Sequence, residues 1–498
     1  MTHSSTSANK AKVPDPSISS SPLDNRVRLS LLVLLSVLLF QLTLSPKTSY
    51  LLSNIKNIRR PIHYHGQDVT TKFFEGWYIK MVKLNETAHE PARSMALIPG
   101  IYRTGPTVSD KHKEHAFVIV VGLPGPEHFA YYRFPTTDFV DLGSHAPGDE
   151  NAFRIKIGNS LFAHNEVILD LPADHFEHVP TEELESFYSA ASRQYEHQYH
   201  SNDQSPIPKG FFRDFFPTSA QLSQRAGQEP FTIQGHILFP AKDQTLLPTS
   251  RLIPSIMGIT AYLPFLECNH GVASMYHPIP KGHITTSYAD NVTQVKVIFD
   301  GGVGYIEKDW GINFPSTWIW GQANIFTQSP GSSLLMSVAS IPVLGPDVKD
   351  WIDEHLPILS PLTTARGMLL VYYHEATKTL YNFSTYMLFA RLRELKVTLN
   401  VEQRTQTVSF RATTRDPHNF FETVALQVSI TREIGTGVPL RAPTRAKGRM
   451  ATNVEEAVLA RTELKLWRVE SGEVLVEDEG LGSGLEIEGD VQWLETTE

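Results

Sequence analysis

The densest group of reactive side chains lies in PSIMGITAYLPFLECNHGVASMYHPIPKGH, Pro254 to His283. It holds Glu267, the chain's only cysteine Cys268, the histidines His270, His277 and His283, and the tyrosines Tyr262 and Tyr276. Prolines and glycines exclude a regular helix here. Irregular backbone between apolar segments can aim ionisable groups into a cavity while flanking strands stay regular. The alternative is a turn region joining two domains around core histidines.

Two further clusters have similar composition. In FFEGWYIK, Phe73 to Lys80, the carboxylate Glu75 is flanked by Phe74, Trp77 and Tyr78. An apolar pocket would raise its pKa, as a general acid needs, whereas an exposed Glu on a first barrel strand would stay ionised. In GGVGYIEKDWGINFPSTWIWGQANIF, Glu307, Lys308 and Asp309 lie beside Trp310, Trp318, Trp320 and Gln322. Charges among so many aromatics suggest a wall that stabilises a cation or binds a planar ring. An ordinary hairpin would instead place Glu307 and Lys308 in solvent and the tryptophans in the core.

Several chemistries lack their signatures. His63 and His65 share a strand face and His270 and His277 flank a turn, but neither pair matches a helical HExxH or a zinc-finger spacing, so no metal site is expected. No phosphate loop, dinucleotide fingerprint or GxSxG elbow is present. A net charge of -9 without a basic block argues against nucleic acid. One cysteine permits no intrachain disulfide.

The 498 residues, 41% hydrophobic and 19% charged, suffice for two or three globular domains. From about Pro61 onward, short strands alternate with turn residues: His115 to Val121, Phe153 to Ile157, Val167 to Leu171, Phe231 to Phe239, Val295 to Phe299, Leu395 to Val401, Thr407 to Ala412 and Val424 to Ile430 among them. Period-two alternation with β-branched and aromatic enrichment predicts a mainly β protein of antiparallel barrels or sandwiches. Helix is expected only at Thr181 to Ala191 and at Val454 to Thr462 behind an Asn453 N-cap. The polar stretch Ser192 to Ser205 reads as a loop. Pro-rich sequence around Leu247 to Pro254 divides a first β domain, 61–245, from a second, 254–498.

Residues 1–25, rich in Ser, Thr and Pro, read as a disordered tail. Within 27–46, the uncharged run Leu29 to Ser45 would span about 26 Å as a helix, which predicts a single-pass transmembrane anchor rather than a cleaved signal peptide. Basic residues on both sides leave its orientation open. Sequons at Asn85, Asn291 and Asn382 weakly favour a glycosylated, lumenal catalytic portion in an endomembrane such as the endoplasmic reticulum.

Taken in order, FEGWYIK, PSIMGITAYLPFLECNHGVASMYHPIPKGHI and GYIEKDWGINFPSTWIWGQANIF resemble the tocopherol cyclase family, from about Pro61 to the C-terminal LEIEGD. The resemblance implies two lipocalin-like β-barrel halves in tandem, related in fold to carotenoid hydratases. It also implies a cofactor-independent cyclisation in which a prenylated hydroquinone is protonated at its double bond and the phenol oxygen closes a chromanol ring. On that basis Glu267, Asp309 and Glu75 are candidate acids. His270 would orient hydroxyls or take the phenolic proton, a role His277 could share. Trp77, Tyr78, Tyr262, Trp310, Trp318 and Gln322 would join His277 in contacting the substrate. Asn269 and Ala273 depart from the CYHGVVS of the plant-type pattern, and Asp309 stands where Asn is common. The competing functions are a non-catalytic carrier of an isoprenoid and a membrane-tethered scaffold. A carboxylate inside an apolar cavity would favour the enzyme over the carrier.

Overall fold

The computed structural model describes residues 58–496 apart from 68, 86–90, 106–112, 124, 126–127, 144–151, 202–209, 251, 264–265, 289–293, 343–351, 353, 356–362 and 444–448. The expected tail at 1–25, the anchor at 27–46 and Asn291 lie outside the described residues. No helix among those described is long and apolar enough to cross a membrane.

Among the described residues the strands form three antiparallel sheets. A six-stranded sheet runs Cys268–Ile279, Gly302–Gly311, Phe73–Leu84, Pro91–Arg103, His115–Val121, Phe129–Phe134. A seven-stranded sheet runs Gln294–Ile298, Lys281–Tyr288, Phe231–Leu238, Glu166–Leu171, Ser160–Ala163, Arg154–Ile157, Phe139–Asp141. The third runs Thr379–Asn382, Thr364–His374, Ser333–Pro342, Trp318–Ala323, Val474–Glu488, Met450–Arg468, Thr423–Glu433, Thr405–Arg415, Arg391–Asn400, with Val438–Pro443 paired beside Met450–Arg468.

The six-stranded sheet is covered on both faces, which is why HAFVIVV reads as an unbroken apolar run and is buried throughout. Trp77, Ile79, Val118 and Ile306 pack on Val167, Leu169 and Ile233 of the seven-stranded sheet. Phe74, Tyr78, Phe117 and Tyr305 turn the other way, onto Trp318, Trp320, Leu335 and Leu440 of the third. The third sheet gathers residues from nearly every strand, Leu370 to Leu395 and Leu426 to Ile487, into one core, so it curls on itself.

The strands Cys268–Ile279 to Gly302–Gly311 follow the boundary expected near 254, yet they hydrogen-bond into the two N-terminal sheets. Sheet membership changes between Gly311 and Trp318 instead. The helix expected at Val454 to Thr462 is strand, part of Met450–Arg468. Burial alternates strictly from Val458 to Leu464, and sheet partners on both sides outweigh the helix propensity of its alanines. The expected helix at 181 is present but runs through the polar stretch to Ser201. Leu184, Tyr188, Ala191, Tyr195 and Tyr199 recur at helical spacing and are buried among themselves and Phe212. A second helix, Ser219–Ala226, begins with a Thr218/Gln221 capping box that the sequence reading passed over. Asn382 is half-buried, its side-chain nitrogen donating to the Tyr386 hydroxyl at 2.8 Å.

The long helix is tied to the third sheet through the Tyr195 hydroxyl, which donates to Glu455 at 3.0 Å and accepts from buried Arg432 at 3.0 Å. Tyr195→Phe keeps the ring packing but strips one partner from each ion. We expect it to cost about 1–3 kcal/mol in denaturant unfolding.

Candidate functional site

Strand pleat decides which groups meet. On Phe73–Leu84, Phe74, Gly76 and Tyr78 face the third sheet, and Glu75 and Trp77 face away. On Gly302–Gly311, Tyr305, Glu307 and Asp309 face the third sheet, while Ile306, Lys308 and Trp310 face away. The register sets Tyr78 beside Glu307, Gly76 beside Asp309, and His270 beside Asp309 on the far side. Glycine at 76 leaves the space opposite Asp309 free of a side chain.

Between the six-stranded and third sheets lies a cavity of about 320 Å³. Its wall is largely apolar, with Phe74, Ile98, Phe117, Leu263, Leu266 and Phe314. Into it turn Tyr78, His270, Glu307, Asp309, Trp318, Trp320 and Glu486.

The polar groups form one connected network. His270 Nδ1 lies 2.9 Å from Asp309 Oδ1, and Nε2 lies 3.4 Å from Glu307 Oε2, close enough for ion pairing but outside hydrogen-bond geometry. Glu307 Oε2 accepts from the Tyr305 hydroxyl at 2.5 Å and from Trp320 Nε1 at 3.2 Å. Glu486 accepts from Trp318 Nε1 at 2.7 Å, and Glu456 from the Tyr78 hydroxyl at 2.7 Å. Glu456 and Glu486 are within hydrogen-bonding reach, and Glu456 Oε2 has no N–H or O–H donor. Two carboxyls so placed share a proton.

Burial sets the protonation states. It pushes Glu307 up to about 7, with Asp309 and Glu486 adding to the rise and His270 and the Tyr305 hydroxyl opposing it. Burial alone would lower His270, but Asp309 and Glu307 outweigh it and hold the imidazole up at about 9. Burial and then Glu486 push Glu456 well above the usual carboxylate range. At neutral pH the site therefore holds an imidazolium facing Asp309 beside a carboxyl near its midpoint. The Cys268 thiol, 3.8 Å from Asp309, stays protonated, because burial and that carboxylate push it up. His270, Glu307 and Asp309 also bring donor atoms within 4.8 Å of one another, a spacing that could hold a metal ion. In the absence of a metal, Asp309 and Glu307 favour the cationic imidazole, so a metal bound there would have to displace its proton.

The remaining sequence candidates divide by face. His270, Asp309, Tyr78 and Trp318 line the cavity. Glu75, Trp77 and Trp310 lie on the opposite face of their sheet. There Glu75 is ion-paired with Lys308 and accepts from the backbone N–H groups of His65 at 3.0 Å and Gly66 at 3.2 Å. The Lys308 ammonium sits 5.0 Å from the Trp77 ring and 4.7 Å from the Trp310 ring, so the cation those tryptophans face is the protein's own. Glu267 is buried beside the cavity but is not part of its wall; its carbonyl accepts from Ile312 N–H at 2.7 Å. His277 is a core histidine that packs 4.6 Å from the Phe239 ring, and burial lowers it to about 3. Tyr262 packs at the edge of the other core, between the six-stranded and third sheets, without reaching the wall, and Gln322 lies beneath, accepting from Lys80 at 3.2 Å.

Tyr305, Glu456 and Glu486 are site residues that sequence reasoning passed over. Glu307 and Trp320 stand in their cluster there without a role, and the acid is sought at Glu267, Asp309 and Glu75 instead. Two signals existed. Tyr305, Glu307 and Asp309 are spaced by two on a strand, as are Glu486 and Glu488 in LEIEG, where apolar neighbours indicate burial on both faces.

Residues 244–355 match the family model described as tocopherol cyclase-like. The match covers less of the chain than the resemblance drawn from the three motifs. The matched segment contributes His270, Glu307, Asp309, Trp318 and Trp320 to the cavity, whereas Tyr78 and Glu486 reach it from outside that segment, with Glu456 bonded behind Tyr78. Among solved structures, a protein described as AttH from Nitrosomonas europaea is similar at 11% identity and a TM-score of 0.33, covering 86% of this chain and 95% of its own. Kievitone hydratase from Nectria haematococca is similar at 8% identity and 0.30, covering 86% and 94%. No curated protein sequence matches.

Glu75 and Lys308 are fully buried, and burial drives both toward neutrality, raising Glu75 and lowering Lys308 to about 8. Each holds the other's charge. Lys308→Met should therefore cost about 3–5 kcal/mol in denaturant unfolding, and Glu75→Leu with Lys308→Met should recover most of that loss.

Proposed function

We propose that the cavity catalyses an acid-promoted cyclisation of a prenylated hydroquinone to a chromanol, without a redox cofactor. One observation carries this reading: a glutamate with its pKa raised to about 7 forms part of an apolar and aromatic wall. Alkene protonation needs an acid that keeps its proton until the substrate has displaced water, and burial supplies that condition.

Glu307 gives its proton to the alkene carbon that leaves the more substituted cation. The faces of Trp318, Trp320 and Tyr78 stabilise that cation. The phenol oxygen then forms the C–O bond, and its proton passes to the Glu456/Glu486 pair, which has room for one. Restoring a proton to Glu307 closes the cycle, so the reaction is an isomerisation. The His270 imidazolium lowers the cost of the Glu307 anion left after the first transfer, and Asp309 keeps His270 charged.

The match of residues 244–355 to the tocopherol cyclase-like model supports the family of reaction. A carrier of the same ligand has no use for Glu307, Asp309 and Glu486 in its wall, where desolvation penalises each charge. We further propose two lipocalin-like halves in tandem, divided between Gly311 and Trp318 where sheet membership changes. Residues 27–46 would tether the chain to a membrane from which an apolar substrate could partition.

Incubating the full chain with a panel of prenylated hydroquinones, followed by mass spectrometry, should yield a product of unchanged mass. Ligand retained but not cyclised would leave only the carrier. Glu307→Gln should lower turnover by about 10²–10⁴-fold; full turnover by that variant would remove the acid from the mechanism.

The pH dependence has a definite sign. Glu307 acts protonated, so kcat/KM should be level below about 7 and fall as pH rises through that value. His270 stays charged up to about 9, so the first limb belongs to Glu307. A profile that rises between pH 6 and 8, about two units centred on that midpoint, would contradict this assignment.

A further inference from the structure

Thr260, Leu263, Ala365 and Thr385 all line the cavity, and the exposure of Ala365 and Thr385 puts its mouth beside them. Its rim is apolar. Ile259, next to Thr260, is 57% exposed, and Leu388, three residues beyond Thr385, is 77% exposed. These two segments meet where Gly258, at φ 58°, presses so closely against the Tyr386 ring that a Cβ would lie 2.5 Å from it.

The apolar surface continues away from the mouth. The Phe389 ring lies 5.1 Å from Phe420, and Phe420 lies 6.4 Å from Phe421, which is 88% exposed. Large side chains on separate loops, all facing water beside one opening, are not the scattered apolar exposure of an ordinary surface.

Charge around the patch selects its partner. Arg415 lies over the Phe389 and Phe420 rings at 5.4 and 5.9 Å, and Arg391 follows Phe389 closely, donating to the carbonyls of Leu388 and Ala390. The nearby acids Asp416 and Glu422 are both ion-paired with Arg468, at 3.1 and 2.9 Å. Aromatic and aliphatic tips with arginines behind them match an anionic lipid surface, which takes the side chains into its acyl boundary and the guanidinium groups among its headgroups.

We propose that the rim formed by Ile259, Leu388, Phe389, Phe420 and Phe421 inserts into the interface of an anionic bilayer and sets the cavity mouth against it. This docking stands independently of the reaction proposed above and of the N-terminal apolar segment.

A fluorophore sensitive to water, attached at Phe421→Cys of the full chain with Cys268→Ser, tests it. A second label at Ile168→Cys, on the seven-stranded sheet, is the reference. On phosphatidylglycerol vesicles, emission at 421 should rise about two-fold or more and be quenched by spin-labelled acyl chains, with a response several times weaker on phosphatidylcholine. The label at 168 should not respond. Four results would overturn the proposal: no sedimentation with the vesicles, sedimentation with an unchanged signal at 421, an equal response on neutral vesicles, or a concentration-dependent rise without lipid, which would assign the patch to a second copy of the chain.

Discussion

The buried ion pair between Glu75 and Lys308 fixes which face of the central strands looks into the cavity. Both charges lie between the six- and seven-stranded sheets, on neighbouring strands, with the tryptophan rings of 77 and 310 beside the ammonium. A slip of one residue would exchange the faces of Gly302–Gly311, carrying Lys308 into the cavity and Glu307 and Asp309 into an apolar core. The three carboxylates and one lysine would then be buried without partners, at several kcal/mol for each ion. The pair thus favours the register that sets Glu307, Asp309 and His270 at one cavity, although by itself a buried ion pair adds little to stability.

Once the register is set, the same desolvation acts on the other face in the opposite sense. There, among the described residues, no lysine forms an ion pair with Glu307, and burial pushes the carboxyl up to about 7. His270 is spared neutralisation chiefly by the Asp309 carboxylate beside its Nδ1. One sheet, covered on both sides, therefore carries a structural ion pair on one face and a poised acid on the other.

The sequence located this region without resolving its faces. Composition singled out all three clusters, and the structure draws residues from each of them to one cavity, including Tyr78, His270, Asp309 and Trp318. Composition also grouped Glu75, Trp77 and Trp310 with them, because aromatic and charged neighbours look alike whichever way they point. Counting by two separates them, since Glu75 shares a face with Trp77 and not with Tyr78. The third wall was harder to find. Glu456 lies in a stretch whose alanines suggest helix, and its approach to Glu486 depends on a strand pairing across thirty residues that no local pattern announces. Likewise the polar run after Ala191 hides a buried face, because Tyr195 and Tyr199 were outweighed by the residues between them.

Charge balance narrows what the cavity can do. Asp309 is matched by His270, and Glu455 by Arg432. Among the described residues this leaves Lys80, beneath the wall, as the buried cation acting on both Glu307 and Glu456, and burial lowers it to about 7. Glu307, Glu456, Glu486 and Glu488 outnumber that cation, so most of them must hold protons, and all four are raised by burial. A site in this condition can give a proton at one carboxyl and accept one at another while its total charge stays constant. Chemistry that consumes a net proton would leave a further buried carboxylate ionised, at a cost that grows with desolvation. A rearrangement that takes one proton from the wall and returns one to it meets no such cost.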